Sequence, residues 1–195
     1  VRDLLVPDWI RVRERAWREK RTGEKEIKII PDLLVNCYRA IDIGANIGVW
    51  SYWLSKYSKQ VESFEPNPKI FNVLKNIKIK NVNAYNIALS NRSGVADLLV
   101  PKGSKGFSNQ GASLSNIKVG GEHKSVSVIS KCLDDYNFSN VNFIISSKVV
   151  VKRLLVESHP LTCPVCVVRV FAALKVPDTS FRVKFARNVM SGAVL

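Results

Sequence analysis

The stretch "AIDIGANIGVW", residues 40–50, decides the fold of this chain. It passes from an apolar run through Asp42 to two glycines, Gly44 and Gly48, that lie four positions apart. Residues 39–43 predict a buried strand, and the apolar residues after the glycines recur at helical spacing. The stretch therefore predicts a strand that turns abruptly into a helix, with both glycines in the turn.

The segments after this turn alternate between helix and strand. The first helix is predicted to run to about residue 59, and a strand follows over residues 61–64. Asn67 can then cap a helix with Pro68 at its first position, and residues 82–89 predict a third strand. Such alternation predicts an α/β fold, in which a parallel sheet with right-handed crossovers carries helices on both faces.

The flanking segments complete this outline. Residues 9–21 predict a basic amphipathic helix, and residues 27–35 a short approach segment. Further strands are predicted at residues 95–100, 126–129 and 141–145, and a loop rich in glycine, serine and asparagine at residues 102–116. We divide the chain into an N-terminal part (1–38), an α/β core (39–145) and a divergent C-terminal segment (146–195).

Charge limits the partners of the chain. Its 195 residues suffice for one domain, and they carry a formal net charge of +14. In the N-terminal helix arginines stand among glutamates, which is typical of a solvated helix face. Aromatic and basic residues do not alternate along the sequence as they do in proteins that bind single-stranded nucleic acids. We therefore do not expect nucleic acid as a partner. The sequence has no stretch of 18 apolar residues, so we expect no membrane span and no membrane partner.

The few cysteines and histidines point away from metal or redox chemistry. The chain has four cysteines, which favours a reducing compartment, and we expect the cytoplasm. Cys163 and Cys166 form a lone C-x-x-C pair, whereas a zinc site needs about four ligands. His123 and His159 are predicted to lie on the surface. We expect no metal.

The glycine turn and a nearby acid predict a ligand site. In parallel sheets of this type ligands bind at the carboxyl ends of the strands. Gly44 lets the backbone approach a ligand, Gly48 lets the helix start tight against the sheet, and free N–H groups there favour a carboxylate or phosphate. Glu65 ends the second strand, where a carboxylate can accept hydrogen bonds from both hydroxyls of a ribose. The alternatives are a purely structural turn and a strand-end glutamate paired with a lysine.

The spacing of the turn discriminates between two ligand classes. A dinucleotide site has the pattern G-x-G-x-x-G, in which the middle glycine makes room for a pyrophosphate. Asn46 stands at that place here and would crowd the pyrophosphate. The turn therefore suits a ligand with an amino-acid end and no phosphates, S-adenosyl-L-methionine, and disfavours a nucleotide-dependent oxidoreductase.

Several stretches together resemble one enzyme family. They are "AIDIGANIGVWSYWLSK", "VESFEPNP", "NAYNIALSNRSG", "GASL" and "KCLDDY" followed by "VNFI", in this order between about Glu26 and Ile145. The chain resembles the FkbM-type S-adenosylmethionine-dependent methyltransferases. The resemblance implies a Rossmann-like methyltransferase fold and metal-free methylation of hydroxyl oxygens on sugars or polyketide-type natural products. It implies a small-molecule or glycan hydroxyl as the methyl acceptor and does not identify that acceptor further.

The resemblance also assigns cofactor-binding residues by position. It places Asp42, Gly44, Asn46 and Gly48 at the methionine end of the cofactor, Glu65 at the ribose, and Ala88 and Leu89 beside the adenine. Ser113 and Leu114 match a loop motif to which we assign no role. No catalytic residue can be carried over.

The chain departs from the family pattern after the strand at residues 141–145. There the family continues as Lys-Ile-Asp-Val-Glu-Gly-x-Glu, whereas this chain reads "ISSKVVVKRLLVESHP". A change of reading frame near Ile145 would leave the sheet incomplete or irregular and the enzyme impaired. Genuine divergence would instead give a helix face around residues 150–155 and strands from "CVVRVF" and "FRVKF". Both explanations stay open, as does a non-enzymatic basic binding module in which the glycine turn is architectural.

Overall fold

The computed structural model describes residues 6–103, 106–107, 112–114, 121–146 and 166–169. The helices are α1 (Asp8–Thr22), α2 (Ile30–Leu33), α3 (Val49–Tyr57) and α4 (Pro68–Lys75), with 3-10 turns at Lys25–Ile29 and Leu133–Tyr136. The strands are β1 (Cys37–Ile43), β2 (Ser58–Phe64), β3 (Val82–Tyr85), β4 (Ala88–Leu89), β5 (Gly94–Gly103), β6 (Gly106–Phe107), β7 (His123–Lys131), β8 (Val141–Ser146) and β9 (Cys166–Arg169). No helix in these ranges is long and apolar enough to cross a membrane.

A parallel sheet forms the centre of the fold, as the sequence predicts. Its five strands run in the order β3-β2-β1-β8-β9, and every neighbouring pair is parallel. In the register of this sheet Asp42 lies opposite Ser63 on one side and Ile145 on the other. The carboxyl ends of β1, β2 and β8 therefore meet at one edge, and the architecture is a Rossmann-like α/β fold.

One face of the parallel sheet is covered by helices. Ala40 and Phe143 point from the sheet into a core formed with α1 and α3. Trp53 of α3 is 3% exposed, and its indole N–H donates to the carbonyl of Ala16 in α1 at 3.0 Å. The predicted N-terminal helix is thus confirmed, and it lies on the body of the domain with Val12 and Ala16 buried.

The opposite face carries a cluster of apolar and aromatic side chains. Ile41, Phe64 and Ile144 are buried there beneath the 3-10 turn Leu133–Tyr136 and Phe138. Phe64 stacks on Tyr85 with ring centroids 4.8 Å apart.

A buried ion pair lies on the same face as this cluster. Arg39 Nε donates to Glu62 Oε1 at 3.1 Å, and the Glu62 side chain is 2% exposed. The other carboxylate oxygen of Glu62 accepts from Asn83 at 3.0 Å and from the Tyr85 hydroxyl at 2.9 Å. Three strands are therefore joined by the hydrogen bonds of one carboxylate.

A second, smaller sheet follows the third parallel strand and was not predicted as a sheet. Its strands run in the order β4-β7-β5-β6, with β5 and β7 antiparallel. The single strand predicted over residues 82–89 is wrong, because β3 ends at Tyr85 and β4 belongs to this second sheet. Asn86 explains the break, since its side-chain amide donates to the carbonyls of Glu65 and Pro66 at 2.8 and 2.9 Å.

Two further boundaries differ from the sequence prediction. The helix predicted to reach about residue 59 ends at Tyr57, because Ser58 already begins β2. The Ser58 hydroxyl donates to the carbonyl of Leu54 at 2.7 Å, which occupies an acceptor at the end of the helix. The approach segment forms the 3-10 turn Lys25–Ile29 and the short helix α2.

The C-terminal segment contributes one strand to the described structure. Strand β9 pairs in parallel with β8 and supplies the fifth strand, so "CVVRVF" forms a strand over its first four residues. This pairing is what the divergence explanation predicts. The predicted helix face around residues 150–155, "FRVKF", His159 and Cys163 lie outside the described residues.

Candidate functional site

The turn between β1 and α3 is built from left-handed backbone conformations. Gly44, Asn46 and Gly48 have φ angles of 75°, 53° and 95°. Glycine adopts such angles without steric cost, and asparagine tolerates them better than most residues. The alternation of these three residues in "GANIG" is therefore what lets β1 turn sharply into α3.

Gly48 also makes room for α4. A Cβ atom at Gly48 would lie 2.8 Å from Leu74 Cδ1 and 3.4 Å from Ile77 Cδ1. The sequence predicted a close approach between the start of the helix and the sheet. The structure shows that the close neighbours are Leu74 of α4 and Ile77 just after it.

The backbone N–H groups of the turn donate to acceptors within the protein. The bonds are Gly44 N and Ala45 N to the Phe64 carbonyl (2.9 Å each), Asn46 N to Glu65 Oε2 (2.8 Å), Ile47 N to Asn46 Oδ1 (2.8 Å) and Gly48 N to the Ala45 carbonyl (2.9 Å). The prediction of free N–H groups for a carboxylate or phosphate is therefore wrong for residues 44–48. The carbonyls of Phe64 and Ala45 accept three of these bonds, and the side chains of Asn46 and Glu65 accept the other two, which the sequence pattern did not reveal.

Glu65 joins the turn to the start of α4. Its side chain points toward the turn and is buried, with Oε2 accepting from the N–H of Asn46 and Oε1 from the N–H of Asn67 at 2.9 Å. Asn67 in turn caps α4 by accepting from the N–H of Lys69 at 3.1 Å. The carboxylate is therefore held in one orientation by two backbone donors from different loops.

Asp42 lies beneath the turn, in the core of the domain. It is 2% exposed, and Ser51 of α3 donates its hydroxyl to Asp42 Oδ2 at 2.7 Å. The Ser63 hydroxyl donates to Ser51 Oγ at 2.9 Å, so β1, β2 and α3 share one hydrogen-bonded chain. Burial raises the pKa of Asp42 to about 7, with a further contribution from the negative charges of Glu65 and Glu24, while the bond from Ser51 acts in the opposite direction.

Glu24 is a third acidic group at the site, and sequence reasoning missed it. It accepts a hydrogen bond from the indole N–H of Trp50 in the first turn of α3. Burial raises the pKa of Glu24, and its charge acts on Asp42. Glu24 stands in an ordinary charged stretch, "GEKE", so only the packing of the approach segment against α3 brings it to the site.

The two residues predicted to flank an adenine lie in different surroundings. Ala88 is buried against Leu98, Val100 and Val128 in the core of the second sheet. Leu89 is half-buried and packs with the apolar cluster around Phe64. The structure brings together the predicted residues of the turn and Glu65, and it places Ala88 and Leu89 beyond the end of β3. Their adenine contact stays a prediction.

The remaining predicted positions lie at the edges of this region. Ser113 pairs through its backbone with Leu99 of β5, at 2.8 and 2.9 Å. Ser146 is buried at the end of β8, opposite Ile43 in the register of the sheet. It therefore stands where the family pattern expects acidic residues to follow the strand. His123 is exposed at the start of β7.

Comparison with known proteins places this geometry in context. A family model described as "Methyltransferase FkbM domain" matches residues 42–146, from the buried Asp42 of β1 to the last residue of β8. No curated protein sequence matches the chain. Among solved structures, the methyltransferase FkbM from Methylobacillus flagellatus is similar at 11% identity with a TM-score of 0.37, over 57% of this chain and 26% of that one. The chain thus spans about a quarter of the length of that structure.

Two other solved structures are similar over part of the chain. One is a precorrin 8W decarboxylase from Methanobacterium thermoautotrophicum, at 11% identity with a TM-score of 0.30, over 55% of this chain and 89% of that one. The other is a SAM-dependent methyltransferase from Leishmania major, at 16% identity with a TM-score of 0.27, over 43% of this chain and 47% of that one.

Proposed function

Because the chain belongs to the FkbM methyltransferase family, we propose that it binds S-adenosyl-L-methionine beside the β1–α3 turn and methylates a hydroxyl oxygen. The acceptor we propose is a small molecule or glycan, such as a sugar or a polyketide-type natural product, met in the cytoplasm. The choice of cofactor and the choice of acceptor rest on different grounds. Only the cofactor is supported by the geometry of the described residues.

The observation that carries the cofactor proposal is the electrostatic character of the turn. Asp42 lies close enough to Glu65 and Glu24 for their negative charges to raise its pKa, and all three are at least partly buried. The backbone N–H groups of residues 44–48 already donate within the protein. A phosphate would therefore be repelled by the carboxylates and would find no donors in this part of the turn, whereas a cation is attracted.

S-adenosyl-L-methionine matches this charge pattern better than a dinucleotide does. It carries a positive sulfonium, an ammonium group and one carboxylate, so it is positively charged overall, and it has no phosphate. Attraction between opposite charges strengthens where water is excluded, as it is around the buried carboxylate of Glu65. The acidic turn therefore supports the same ligand that the position of Asn46 favours in the sequence.

Glu65 is the residue we propose for the ribose. A carboxylate has about four lone-pair sites, so the anchoring bonds from Asn46 and Asn67 orient the group without excluding further acceptance. A hydrogen bond to a charged acceptor contributes about 1.5–3 kcal/mol. We propose that Asp42, Gly44, Asn46 and Gly48 border the methionine end, and that Ala88 and Leu89 lie toward the adenine.

The chemistry asked of the protein is mainly alignment. When bound, S-adenosyl-L-methionine supplies a methyl group already activated by its positively charged sulfur. The protein has to hold an acceptor oxygen in line with that methyl group, and such alignment can supply about 7–11 kcal/mol. A general base helps when the acceptor is an alcohol. We assign no base among the described residues, because Ser146 stands where the family pattern turns acidic.

Calorimetric titration of the full chain with S-adenosylhomocysteine tests the cofactor proposal. We expect saturable binding, together with no binding of NAD under the same conditions. Far-UV circular dichroism shows whether the chain is folded in that experiment. A folded chain that ignores S-adenosylhomocysteine would refute the proposal, and a folded chain that binds NAD in its place would indicate an oxidoreductase.

A further inference from the structure

Helix α1 presents a stripe of alternating aromatic and basic side chains to solvent. The stripe consists of Trp9, Arg13, Trp17 and Arg21, each four positions after the one before. Trp9 is 40% exposed and Trp17 48% exposed, while Val12 and Ala16 of the same helix are buried. The alternation is not visible along the sequence, because only helical geometry brings residues four apart onto one face.

The charges along this stripe are not neutralised by the described residues. Arg11 pairs with Asp8 and Arg15 with Glu19, both within the helix. Arg13, Arg18 and Arg21 form no ion pair with any residue that the structure describes, and all three are at least partly exposed. Glu14 is exposed among these arginines, so the face carries three unpaired arginines against one glutamate. It therefore has a surplus of positive charge beside two exposed indoles, on a chain whose net charge is +14.

Although the sequence, with no membrane-spanning stretch, predicts no membrane partner, we propose that the α1 stripe binds the surface of a lipid bilayer that contains anionic phospholipids. Tryptophan rings favour the level of the headgroups, and arginines pair with headgroup phosphates. The helix packs on the domain through Val12 and Ala16 and leaves the stripe exposed along its length, where it can contact a membrane surface. From Trp9 to Arg21 the helix rises about 18 Å at roughly 1.5 Å per residue, which is long enough to contact several headgroups.

The shape of the stripe favours a bilayer over a single-stranded nucleic acid. Proteins that bind single strands use a groove in which bases stack on aromatic faces. The stripe runs along one helix, and the shallow recess beside it is lined, among the described residues, by α1 side chains only. Its Trp17 ring packs edge-on against Trp53, with centroids 5.0 Å apart and an interplanar angle of 75°. The inference is independent of the proposed methyltransferase activity, because it uses no residue of the cofactor site.

Cosedimentation of the full chain with vesicles tests this proposal. One set of vesicles is phosphatidylcholine alone, and the other is an equal mixture of phosphatidylcholine and phosphatidylglycerol. We expect binding to the anionic vesicles only, and weaker binding as salt is raised, because surface charges are screened. An arginine near an anionic surface contributes about fivefold to binding. The double variant Arg13→Glu/Arg21→Glu should therefore lose about 25-fold or more.

A matched control separates the stripe from net charge. Arg92→Glu/Lys124→Glu makes the same change in charge at exposed positions around the second sheet, and it should leave vesicle binding within about twofold of the original chain. Trp9→Ser should weaken binding while circular dichroism stays unchanged, since Trp9 makes no ring contact with another described aromatic. Trp17 is left intact because it packs on Trp53.

Four results would overturn the proposal. The first is no binding to anionic vesicles by the folded chain, and the second is equal loss in the stripe variant and the control variant. The third is binding of a single-stranded oligonucleotide that anionic vesicles do not displace. The fourth is a dimer in sedimentation velocity that Arg13→Glu/Arg21→Glu dissociates, which would assign the stripe to a second copy of the chain.

Discussion

The Glu65 carboxylate accepts a hydrogen bond from the backbone N–H of Asn46 at 2.8 Å, so the end of β2 is tied directly to the turn that follows β1. The other carboxylate oxygen accepts from the N–H of Asn67 at the start of α4. One side chain therefore fixes the relative positions of two loops at the carboxyl edge of the sheet. Any ligand bound at this edge meets a carboxylate whose orientation is set before binding.

Glu65→Ala should weaken the binding of S-adenosylhomocysteine about tenfold or more, because it removes a charged acceptor. The substitution also leaves the N–H groups of Asn46 and Asn67 without their acceptor, which costs about 1–3 kcal/mol of stability for each group that stays buried. Calorimetric titration gives the affinity, and urea unfolding gives the free energy of unfolding.

A control distinguishes a ligand role of Glu65 from a structural one. Glu122→Ala removes an exposed glutamate beside the second sheet, and it should leave affinity unchanged and cost no more than about 1 kcal/mol of stability. Glu65→Gln keeps one side-chain oxygen as an acceptor and should be more stable than Glu65→Ala. If Glu65→Gln binds S-adenosylhomocysteine as tightly as the original chain, the charge of Glu65 takes no part in binding.

Gly48→Ala should destabilise the domain for two separable reasons. A left-handed φ of 95° costs an L-residue about 1–2 kcal/mol, and the added methyl group, 2.8 Å from Leu74, costs about 1–3 kcal/mol more as overpacking. Gly121→Ala is the matched control, because Gly121 has a φ of 82° and a Cβ atom added there would meet no atom within 4 Å. Urea unfolding should show the larger loss for Gly48→Ala. Equal losses would mean that α4 moves aside without cost.

The strand–turn–helix unit at residues 40–50 could be predicted because its signals are local. An apolar run, helical spacing and two glycines lie within one short segment, and their geometry depends little on the rest of the chain. The placement of Glu65 beside the β1–α3 turn could also be predicted. Glu65 ends the neighbouring parallel strand, and the carboxyl ends of parallel strands meet at the same edge of the sheet.

The features that were missed depend on contacts between distant segments. The break in the predicted strand over residues 82–89 comes from Asn86, whose amide binds carbonyls that are distant in sequence. Glu24 reaches the site only through its bond to Trp50. The N–H groups of Asn46 and Ile47 in the turn bond to side-chain oxygens, and these bonds depend on the rotamers of Glu65 and Asn46. No pattern of residue types specifies such contacts.

The Arg39–Glu62 ion pair predicts a large and asymmetric cost of substitution. Arg39→Met removes the cation from a carboxylate that is 2% exposed, and breaking a buried pair in this way costs about 3–5 kcal/mol. Arg39→Met/Glu62→Leu removes both charges and should be less destabilised than Arg39→Met alone. Lys102→Met breaks the exposed pair with Glu122 and should cost no more than about 1 kcal/mol. Denaturant unfolding of the variants measures these differences, and equal costs for Arg39→Met and Lys102→Met would contradict the prediction.

The buried Asp42 predicts how stability changes with pH. Its pKa is raised from 3.8 to about 7, mainly by burial, so the folded protein holds a proton that the unfolded chain releases between these values. The free energy of unfolding should therefore fall as pH rises from about 4 to about 7, and Asp42 then destabilises the fold at higher pH. Asp42→Asn keeps an oxygen that can accept from Ser51 and cannot ionise, so its stability should fall less over this range. Urea unfolding at several pH values gives the difference between the two proteins. If that difference is the same at about pH 4 and about pH 8, the pKa of Asp42 is not raised in the folded protein.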